Sequence, residues 1–225
     1  EANQLPDNAV VLKSIVSSEF PTVIAESYGA KMIDVLTGFK FIAEKIKQYE
    51  EDGSQTFQFG FEESYGYLVQ PFVRDKDAIQ ALVLIAEVAA YYKKKGQTLY
   101  DGLVELYEEH GYYQEKTISV TMSGLTGAEK IKALMAKFRE NAPTDFAGIA
   151  VTEIEDFHTQ TKTFADGTNE SIAMPSSNVL KYKVEDGSWI AIRPSGTEPK
   201  IKLYIGAKAD TGQEVEKKVS KFEEA

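Results

Sequence analysis

A strand–helix–strand pattern opens the chain at residues 9–36, AVVLKSIVSSEFPTVIAESYGAKMIDVL. The run Ala9–Val16 is apolar enough for a buried strand, and Lys31–Leu36 has the same character. Between them, Pro21–Tyr28 predicts a short helix that ends at Gly29. Strands separated by helices indicate a parallel or mixed sheet with helices on both faces.

The same alternation of strands and helices extends to about residue 140. It predicts helices at 41–49, 77–94, 99–109 and 128–138, a strand at 56–59 and an extended run at 112–122. We therefore expect an α/β domain over residues 1–143, with a mixed or parallel sheet sandwiched by helices.

Strand signals dominate the rest of the chain. They predict strands at 148–155, 179–184, 188–192 and 201–207, a polar exposed loop at 161–177 and a closing helix at 212–222. Asp186-Gly187 is a two-residue hairpin turn of a favoured kind. The expectation is a small α+β domain with an antiparallel sheet over residues 144–225.

Composition excludes several kinds of site. With no cysteine and two histidines among 225 residues, the chain has no disulfide, thiolate metal site, cysteine nucleophile or imidazole-rich metal centre. The net charge of −10 argues against nucleic acid or an acidic membrane as a partner. No apolar run reaches membrane-spanning length and no secretory signal is visible, so we expect a cytoplasmic protein.

A short loop between two of these strands has the sequence RPSGTEPK, at residues 193–200. Its two prolines stiffen the backbone, its arginine suits bidentate contact with phosphate oxygens, and its glycine permits backbone geometries closed to other residues. An ordinary proline-bounded turn is the alternative for this loop in isolation. The combination predicts an anion-binding loop, with the candidate ligands Arg193, Ser195, Gly196, Thr197 and Lys200.

A second polar loop, GFEESYGY at residues 60–67, follows the strand predicted at 56–59. The carboxyl ends of strands are where open α/β sheets bind ligands. Glu62 can accept two hydrogen bonds from sugar hydroxyls, and Ser64 can donate or accept. Taken alone, acidic residues beside glycine are more typical of a solvated loop.

Two basic segments lie close to helix starts. Thr37 could cap the helix that follows it, whereas Lys40 opposes the helix dipole and suggests a nearby anion. Lys76 precedes the long helix and could reach the same crevice as Glu62. Surface charges and a helix cap are the alternatives for these residues.

Together, the motifs at 193–200 and 60–67 resemble those of the α-D-phosphohexomutases, the family of phosphoglucomutase and phosphomannomutase. The resemblance implies that 193–200 is the phosphate-binding loop of the last domain. It places Glu62 and Ser64 in the Glu-x-Ser core of the sugar-binding loop of the third domain. The segment containing Gly38 and Lys40 is similar to a loop that helps to orient the sugar.

Two motifs of that family do not occur in the sequence. They are the Thr-x-Ser-His-type loop, whose serine carries the transferred phosphoryl group, and the Asp-Gly-Asp-x-Asp-type loop for magnesium. The resemblance therefore implies domains three and four of a longer enzyme, whose partners are its missing amino-terminal domains and a hexose phosphate. It implies no cofactor in this chain, Mg²⁺ in the full-length enzyme, and no catalysis by this chain alone.

The resemblance also implies a reaction, the interconversion of glucose 1-phosphate and glucose 6-phosphate through a bisphosphorylated sugar. The spelling Glu62-Glu63-Ser64 is more similar to the glucose-acting members. Mannose, glucosamine and pentose phosphates stay open as substrates. A non-catalytic sugar-phosphate binding module and a structural domain pair with vestigial loops are the further alternatives.

Overall fold

The structure is a computed structural model that describes residues 5–122, 124, 126–196 and 198–225. The chain divides into two compact units, Glu1–Gly111 and Tyr112–Ala225. This division lies before the boundary expected at 143/144. The reason is a long-range pairing, because residues 112–121 join the sheet of the second unit.

A mixed sheet forms the centre of the first unit. Its strands are β1 (Ala9–Ser14), β2 (Lys31–Val35), β3 (Thr56–Glu62) and β4 (Gly66–Leu68), in the order β2-β1-β3-β4. Strand β1 pairs in parallel with β2 and β3, and β4 pairs antiparallel with β3. The strand predicted at 56–59 extends to Glu62 in the structure. The segment predicted as a loop at 60–67 belongs to the β3–β4 hairpin, and residues 63–65 connect its two strands.

Four helices accompany this sheet in the described residues: α1 (Phe20–Ser27), α2 (Phe39–Asp52), α3 (Ala78–Lys94) and α4 (Leu99–His110). The helix α2 packs Ile42 and Ile46 against Val10 and Leu12 of β1, and all four side chains are almost fully buried. Burial of each such side chain stabilises the fold by about 1.5–3 kcal/mol. The other helix between parallel strands, α1, packs Ala25 close to Ala9 on the same strand.

An antiparallel sheet forms the second unit. Its strands run β5-β12-β11-β10-β7-β8-β9, and β6 pairs with β7. Their bounds are β5 (Tyr112–Thr121), β6 (Asp145–Phe146), β7 (Ile149–Asp156), β8 (Thr161–Phe164), β9 (Asn169–Ser171), β10 (Leu180–Val184), β11 (Trp189–Pro194) and β12 (Lys200–Ala209). The α/β class with a mixed sheet, followed by an α+β unit with an antiparallel sheet, is confirmed.

Two helices cover one face of the second sheet, α5 (Gly127–Glu140) and α6 (Gly212–Glu224). Leu180 and Val184 lie on the same face of β10 because side chains alternate along a strand. Leu180 packs with the α5 cluster and Val184 with the α6 cluster, so the helices lie side by side.

One predicted loop contains strands instead. Residues 161–177 include β8 and β9, which form a hairpin at the edge of the second sheet. The polar composition reflects this edge position, where Thr161 and Thr163 pair across the hairpin with Ser171 and Asn169. In the described residues, no helix is long and apolar enough to cross a membrane.

Candidate functional site

The carboxyl ends of the three parallel strands meet at one edge of the first sheet. Strands β1, β2 and β3 end at Ser14, Val35 and Glu62, and the register pairs Ser14 with Val35. The connections that follow these strands begin at this edge. In α/β sheets this edge is where ligands bind.

Glu62 is buried at this edge, with 8% of its surface exposed. Its Oε1 atom accepts a hydrogen bond of 2.6 Å from the backbone N–H of Gly38, the residue that precedes α2. Gly38 has φ of 121°, a conformation that favours glycine. Thr37 does not cap α2, because the N-cap is Gly38 and the acceptor comes from β3. The carboxylate of Glu62 thus lies at the amino-terminal, positive end of the α2 dipole.

Lys76 lies next to Glu62 because both flank Gly66. A Cβ atom at Gly66 would lie 3.1 Å from Cδ of Lys76 and 3.6 Å from Oε2 of Glu62. The Lys76 ammonium lies 3.4 Å from Oδ1 of Asp75 and 5.8 Å from the ring centre of Phe39. More than half of the Lys76 side chain is exposed, so its ion pair with Asp75 is weak. Replacing Asp75 by a ligand oxygen therefore costs little free energy.

Ser64 and Lys40 are both exposed near this edge. Ser64 lies in the 63–65 connection, where Tyr65 has φ of 62°, and its hydroxyl has no partner in the described part of the chain. The Lys40 ammonium lies 4.8 Å from the ring centre of Phe41. The carboxylate at the start of α2 belongs to Glu62 of β3.

A buried hydroxyl pair next to this edge escaped sequence analysis. The Oγ atoms of Ser14 and Ser17 are 2.9 Å apart, and Ser14 donates to Oε2 of Glu63 over 2.9 Å. Both serines are buried, so this network fastens the 63–65 connection to the end of β1. The available signal was a serine at the carboxyl end of a predicted buried strand.

Lys13 was also missed, since it stands inside an apolar strand run. It is fully buried, and its ammonium lies 2.8 Å from Oδ1 of Asp34 and 3.1 Å from Oε1 of Glu19. Burial of a lysine requires such partners. Lys13 thereby joins β2 and the start of α1 to β1, behind the edge that carries Glu62.

The predicted anion-binding loop is the connection of the β11–β12 hairpin in the second unit. Pro194 pairs with Ile201, and the N–H of Ser195 donates to the carbonyl of Lys200 over 2.8 Å. Backbone pairing therefore holds both ends of the loop in place. Thr197, one of the predicted ligands, lies outside the described residues.

Arg193 is half-buried at the start of this loop and has no carboxylate partner among the described residues. The other two arginines of the chain are both paired, Arg74 with Glu50 and Arg139 with Asp156. Because no described carboxylate pairs with Arg193, an anion can bind its guanidinium without first breaking an ion pair among the described residues.

Gly196 is required neither by the backbone nor by packing. Its φ is outside the left-handed range, contrary to the conformational freedom we expected it to use, and an added Cβ would meet no atom within 4 Å. The open space at this position is a property that a ligand-binding loop needs.

Lys200 is less available than predicted. Its ammonium lies 2.9 Å from Oε2 of Glu198, a residue of the same loop. Both side chains are more than one third exposed, so this pair contributes little to stability and can open. Glu198 also points its N–H at Oγ of Ser195, 3.4 Å away.

A groove of about 900 Å³ lies beside this loop in the second unit. One wall is formed by Pro194, Ser195, Gly196, Glu198 and Pro199 of the loop, and the other is the α5 surface around Ile131 and Met135. Arg139 closes one part of the groove, where it contacts Asp156 and donates to Oδ1 of Asn178 over 2.7 Å. The loop therefore borders a space large enough for a small molecule.

The described residues contain no group of three or more histidine, cysteine, aspartate or glutamate side chains that could hold a metal ion. They therefore do not fit the Mg²⁺ ion that the resemblance implies for the full-length enzyme. We derive no chemical step in this chain through a metal.

Comparison with known families assigns both units. A family described as phosphoglucomutase/phosphomannomutase, alpha/beta/alpha domain III matches residues 1–107, and its C-terminal domain matches residues 129–223. The chain belongs to the phosphoglucomutase/phosphomannomutase family. The match of the C-terminal domain contains the whole loop at 193–200, and the match of domain III contains Glu62 and Gly38.

Curated relatives of the family are similar over almost the whole chain. The phosphoglucomutase of Staphylococcus haemolyticus (strain JCSC1435) is 40% identical over 223 residues, covering 99% of this chain and 40% of that protein. The phosphoglucomutase of Staphylococcus aureus (strain bovine RF122 / ET3-1) is 44% identical over 212 residues, covering 94% and 38%. The chain thus spans about two fifths of the length of these relatives.

Solved structures of the family share the fold. The open form of the phosphoglucomutase parafusin from Paramecium aligns with a TM-score of 0.63 at 18% identity, covering 95% of this chain and 37% of that one. A family protein from Burkholderia thailandensis aligns with a TM-score of 0.54 at 14% identity, covering 96% and 37%. At these identities the likeness concerns the fold alone.

Proposed function

We propose that this chain is the substrate-binding part of a phosphoglucomutase that interconverts glucose 1-phosphate and glucose 6-phosphate through a bisphosphorylated sugar. In this proposal the first unit, as the family's third domain, binds the sugar. The second unit, as its last domain, binds the phosphate group that is not being transferred. Residues 193–200 carry the phosphate contacts, and the edge around Glu62 carries the sugar contacts.

The guanidinium of Arg193, for which the described part of the chain offers no carboxylate partner, carries this proposal. It stands on a hairpin whose register is fixed, beside a glycine with open space in front of it. A phosphate placed there accepts from the guanidinium and from the N–H of Gly196, with the hydroxyls of Ser195 and Thr197 as further donors. Lys200 adds positive charge once it releases Glu198.

Glu62 is held ready to accept hydrogen bonds from sugar hydroxyls. One carboxylate oxygen is fixed by Gly38, and the other lies beside Gly66 and the side chain of Lys76. The hydroxyl of Ser64 and the ammonium groups of Lys40 and Lys76 complete the proposed sugar contacts. A pair of sugar hydroxyls can bind such a carboxylate in either orientation of the ring.

The chemistry of group transfer belongs to other parts of the full-length protein. The serine that carries the phosphoryl group and the aspartates that hold Mg²⁺ have no counterpart motif in this sequence. We therefore expect this chain to bind but not to catalyse by itself. The cytoplasmic location stays a prediction from composition.

The test is steady-state kinetics of the full-length protein with Arg193→Ala. Charge-assisted hydrogen bonds contribute about 1.5–3 kcal/mol each, so loss of the guanidinium should raise KM for glucose 1-phosphate and lower kcat/KM at least ~10-fold. Arg193→Lys keeps the charge but loses the bidentate geometry. Its kcat/KM should therefore lie between those of the unmodified protein and Arg193→Ala.

The matched control is Arg74→Ala, which removes an exposed arginine that pairs with Glu50. It should leave KM and kcat/KM unchanged. Equal kinetics for Arg193→Ala and the unmodified protein would overturn the assignment of the loop. If the same assay shows a preference for mannose or pentose phosphates, the assignment of the loop to phosphate binding stands and the proposed substrate changes.

A further inference from the structure

The loop at residues 193–200 contains a carboxylate as well as two cations. Arg193 and Lys200 each carry one positive charge and Glu198 carries one negative charge, so the net formal charge of the segment is +1. A negative charge close to a bound phosphate opposes its binding. A neutral residue at position 198 would leave the two cations without this opposing charge.

The carboxylate of Glu198 contacts one of these cations directly. Its Oε2 atom lies 2.9 Å from Nζ of Lys200. Backbone hydrogen bonds hold the two residues in this arrangement. The N–H of Lys200 donates to the carbonyl of Glu198 over 2.7 Å, and the N–H of Ser195 donates to the carbonyl of Lys200 over 2.8 Å. The ion pair therefore forms on a turn whose backbone is already ordered, which reduces the entropy lost when it forms.

The ion pair between Glu198 and Lys200 is also easy to open. The exposed fractions of the two side chains are 57% and 37%, and exposed ion pairs contribute little to stability. A phosphate dianion attracts an ammonium more strongly than the single charge of a carboxylate does. Phosphate can therefore take the place of Glu198 at Lys200, and Glu198 can return when the phosphate leaves.

The proposed reaction requires such an exchange. The two phosphates of the bisphosphorylated sugar must occupy the loop in turn, because each is held there while the other reacts. One phosphate therefore leaves the loop before the other enters. Between these events, an ammonium paired with Glu198 is more stable than an uncompensated ammonium in the same loop as the Arg193 guanidinium.

We propose that Glu198 determines the affinity of the loop by competing with phosphate for the ammonium of Lys200. Its carboxylate pairs with Lys200 whenever a phosphate leaves, which weakens phosphate binding and favours release and reorientation of the bisphosphate. The inference rests on the proposed function, in which residues 193–200 bind phosphate. It adds a residue of the same loop that opposes that binding.

The experiment measures the inhibition constant of inorganic phosphate and KM for glucose 1-phosphate, for the full-length protein and its Glu198→Gln variant. Glutamine retains the shape of the side chain and removes its charge. Both constants should fall about 2- to 5-fold, as expected for the loss of one exposed ion pair. A damaged loop would raise them instead. An inhibition constant that is unchanged or higher would overturn the proposal.

A double-mutant cycle tests whether Glu198 acts through Lys200. Glu198→Gln is repeated in a Lys200→Met background, which has no ammonium at this position for the carboxylate and phosphate to compete for. The decrease in the inhibition constant of phosphate should largely disappear in that background. An equal decrease in both backgrounds would show that the carboxylate acts on phosphate directly, and would overturn the proposal.

The matched control is Glu223→Gln, because Glu223 also forms an exposed ion pair, with Lys116, in the same unit. It should leave the inhibition constant unchanged. An equal decrease with this variant would trace the effect to the net charge of the protein and would overturn the proposal.

Phosphate inhibition of Arg193→Ala separates this inference from the proposed function. If Arg193→Ala and the unmodified protein have the same inhibition constant, residues 193–200 do not bind phosphate and both proposals fail. If Arg193→Ala raises the constant and Glu198→Gln does not lower it, the proposed function stands and the role of Glu198 is wrong. We expect Arg193→Ala to raise the constant and Glu198→Gln to lower it.

Discussion

The backbone N–H of Gly38 donates a 2.6 Å hydrogen bond to Oε1 of Glu62, across two segments that are 24 residues apart in sequence. This bond joins the start of α2 to the end of β3. It fixes a buried carboxylate at the edge of the sheet where ligands bind. A charge that would be costly to bury alone is thereby held by a helix N-terminus.

Glu62→Gln should weaken substrate binding while it leaves the fold intact. The amide keeps an acceptor for the Gly38 N–H but loses the negative charge, so each hydroxyl contact drops from a charged to a neutral hydrogen bond. We expect KM for glucose 1-phosphate to rise about 10-fold in the full-length protein, measured by steady-state kinetics. Glu51→Gln, on the exposed face of α2, is the control, and identical kinetics for the two variants would refute the role of Glu62.

Gly38→Ala should impair both stability and substrate binding. With φ of 121°, an alanine at this position is strained by about 1–3 kcal/mol and would move the N–H that binds Glu62. Gly53→Ala introduces a comparable left-handed strain, at φ of 64°, at the far end of α2. Denaturation should show a loss of stability for both variants, and kinetics should show a higher KM for Gly38→Ala alone. A higher KM for Gly53→Ala as well would mean that strain, rather than Glu62, explains the effect.

Ser14→Ala should loosen the 63–65 connection. The substitution removes the donor to Oε2 of Glu63 and leaves Ser17 without its partner hydroxyl in a buried place. We expect about 1–3 kcal/mol less stability on denaturation and a several-fold higher KM for glucose 1-phosphate. Ser27→Ala, whose hydroxyl bonds the carbonyl of Ile24 on the surface, should change neither quantity. Unchanged KM in Ser14→Ala would show that the network is purely structural.

Tyr182 should make the second unit sensitive to alkaline pH. Burial raises the pKa of its phenol to about 12, Arg139 opposes that shift and Asp156 supports it. Because the folded-state pKa lies above the ordinary value of 10.0, the stabilisation is complete below pH 10 and disappears as pH rises toward 12.

The size of this effect follows from about two pKa units, or roughly 3 kcal/mol. Denaturation of the protein and of Tyr182→Phe at several pH values measures it. The difference in unfolding free energy between them should decrease by about this amount from pH 10 to pH 12. A difference that stays constant over this range would contradict the assignment to Tyr182.

The sequence predicted the elements that depend on local patterns. The alternation in residues 9–36 indicates two strands and a helix, and the structure contains β1, α1 and β2 there. The hairpin around residues 193–200 is similarly local, because two apolar strands flank a proline-bounded loop. Periodicity and turn residues act over a few positions, so they are visible in one sequence.

Features that depend on distant residues were not predictable in this way. The pairing of β5 with β12 moves the division of the chain to residues 111/112, and no local signal shows which sheet an extended run will join. The bonds of Glu62 to Gly38 and of Ser14 to Glu63 connect residues that are 24 and 49 positions apart in sequence. The 63–65 connection has Tyr65, rather than glycine, in the left-handed conformation, so it lacks the usual hairpin signature.

The central claim is that the loop at Arg193 binds the phosphate of a sugar phosphate. A crystal structure of the full-length protein with bound glucose 1,6-bisphosphate tests it most directly. One phosphate should accept hydrogen bonds, at about 3 Å, from the guanidinium of Arg193 and the N–H of Gly196. A bisphosphate bound with both phosphates away from residues 193–200 would contradict the account.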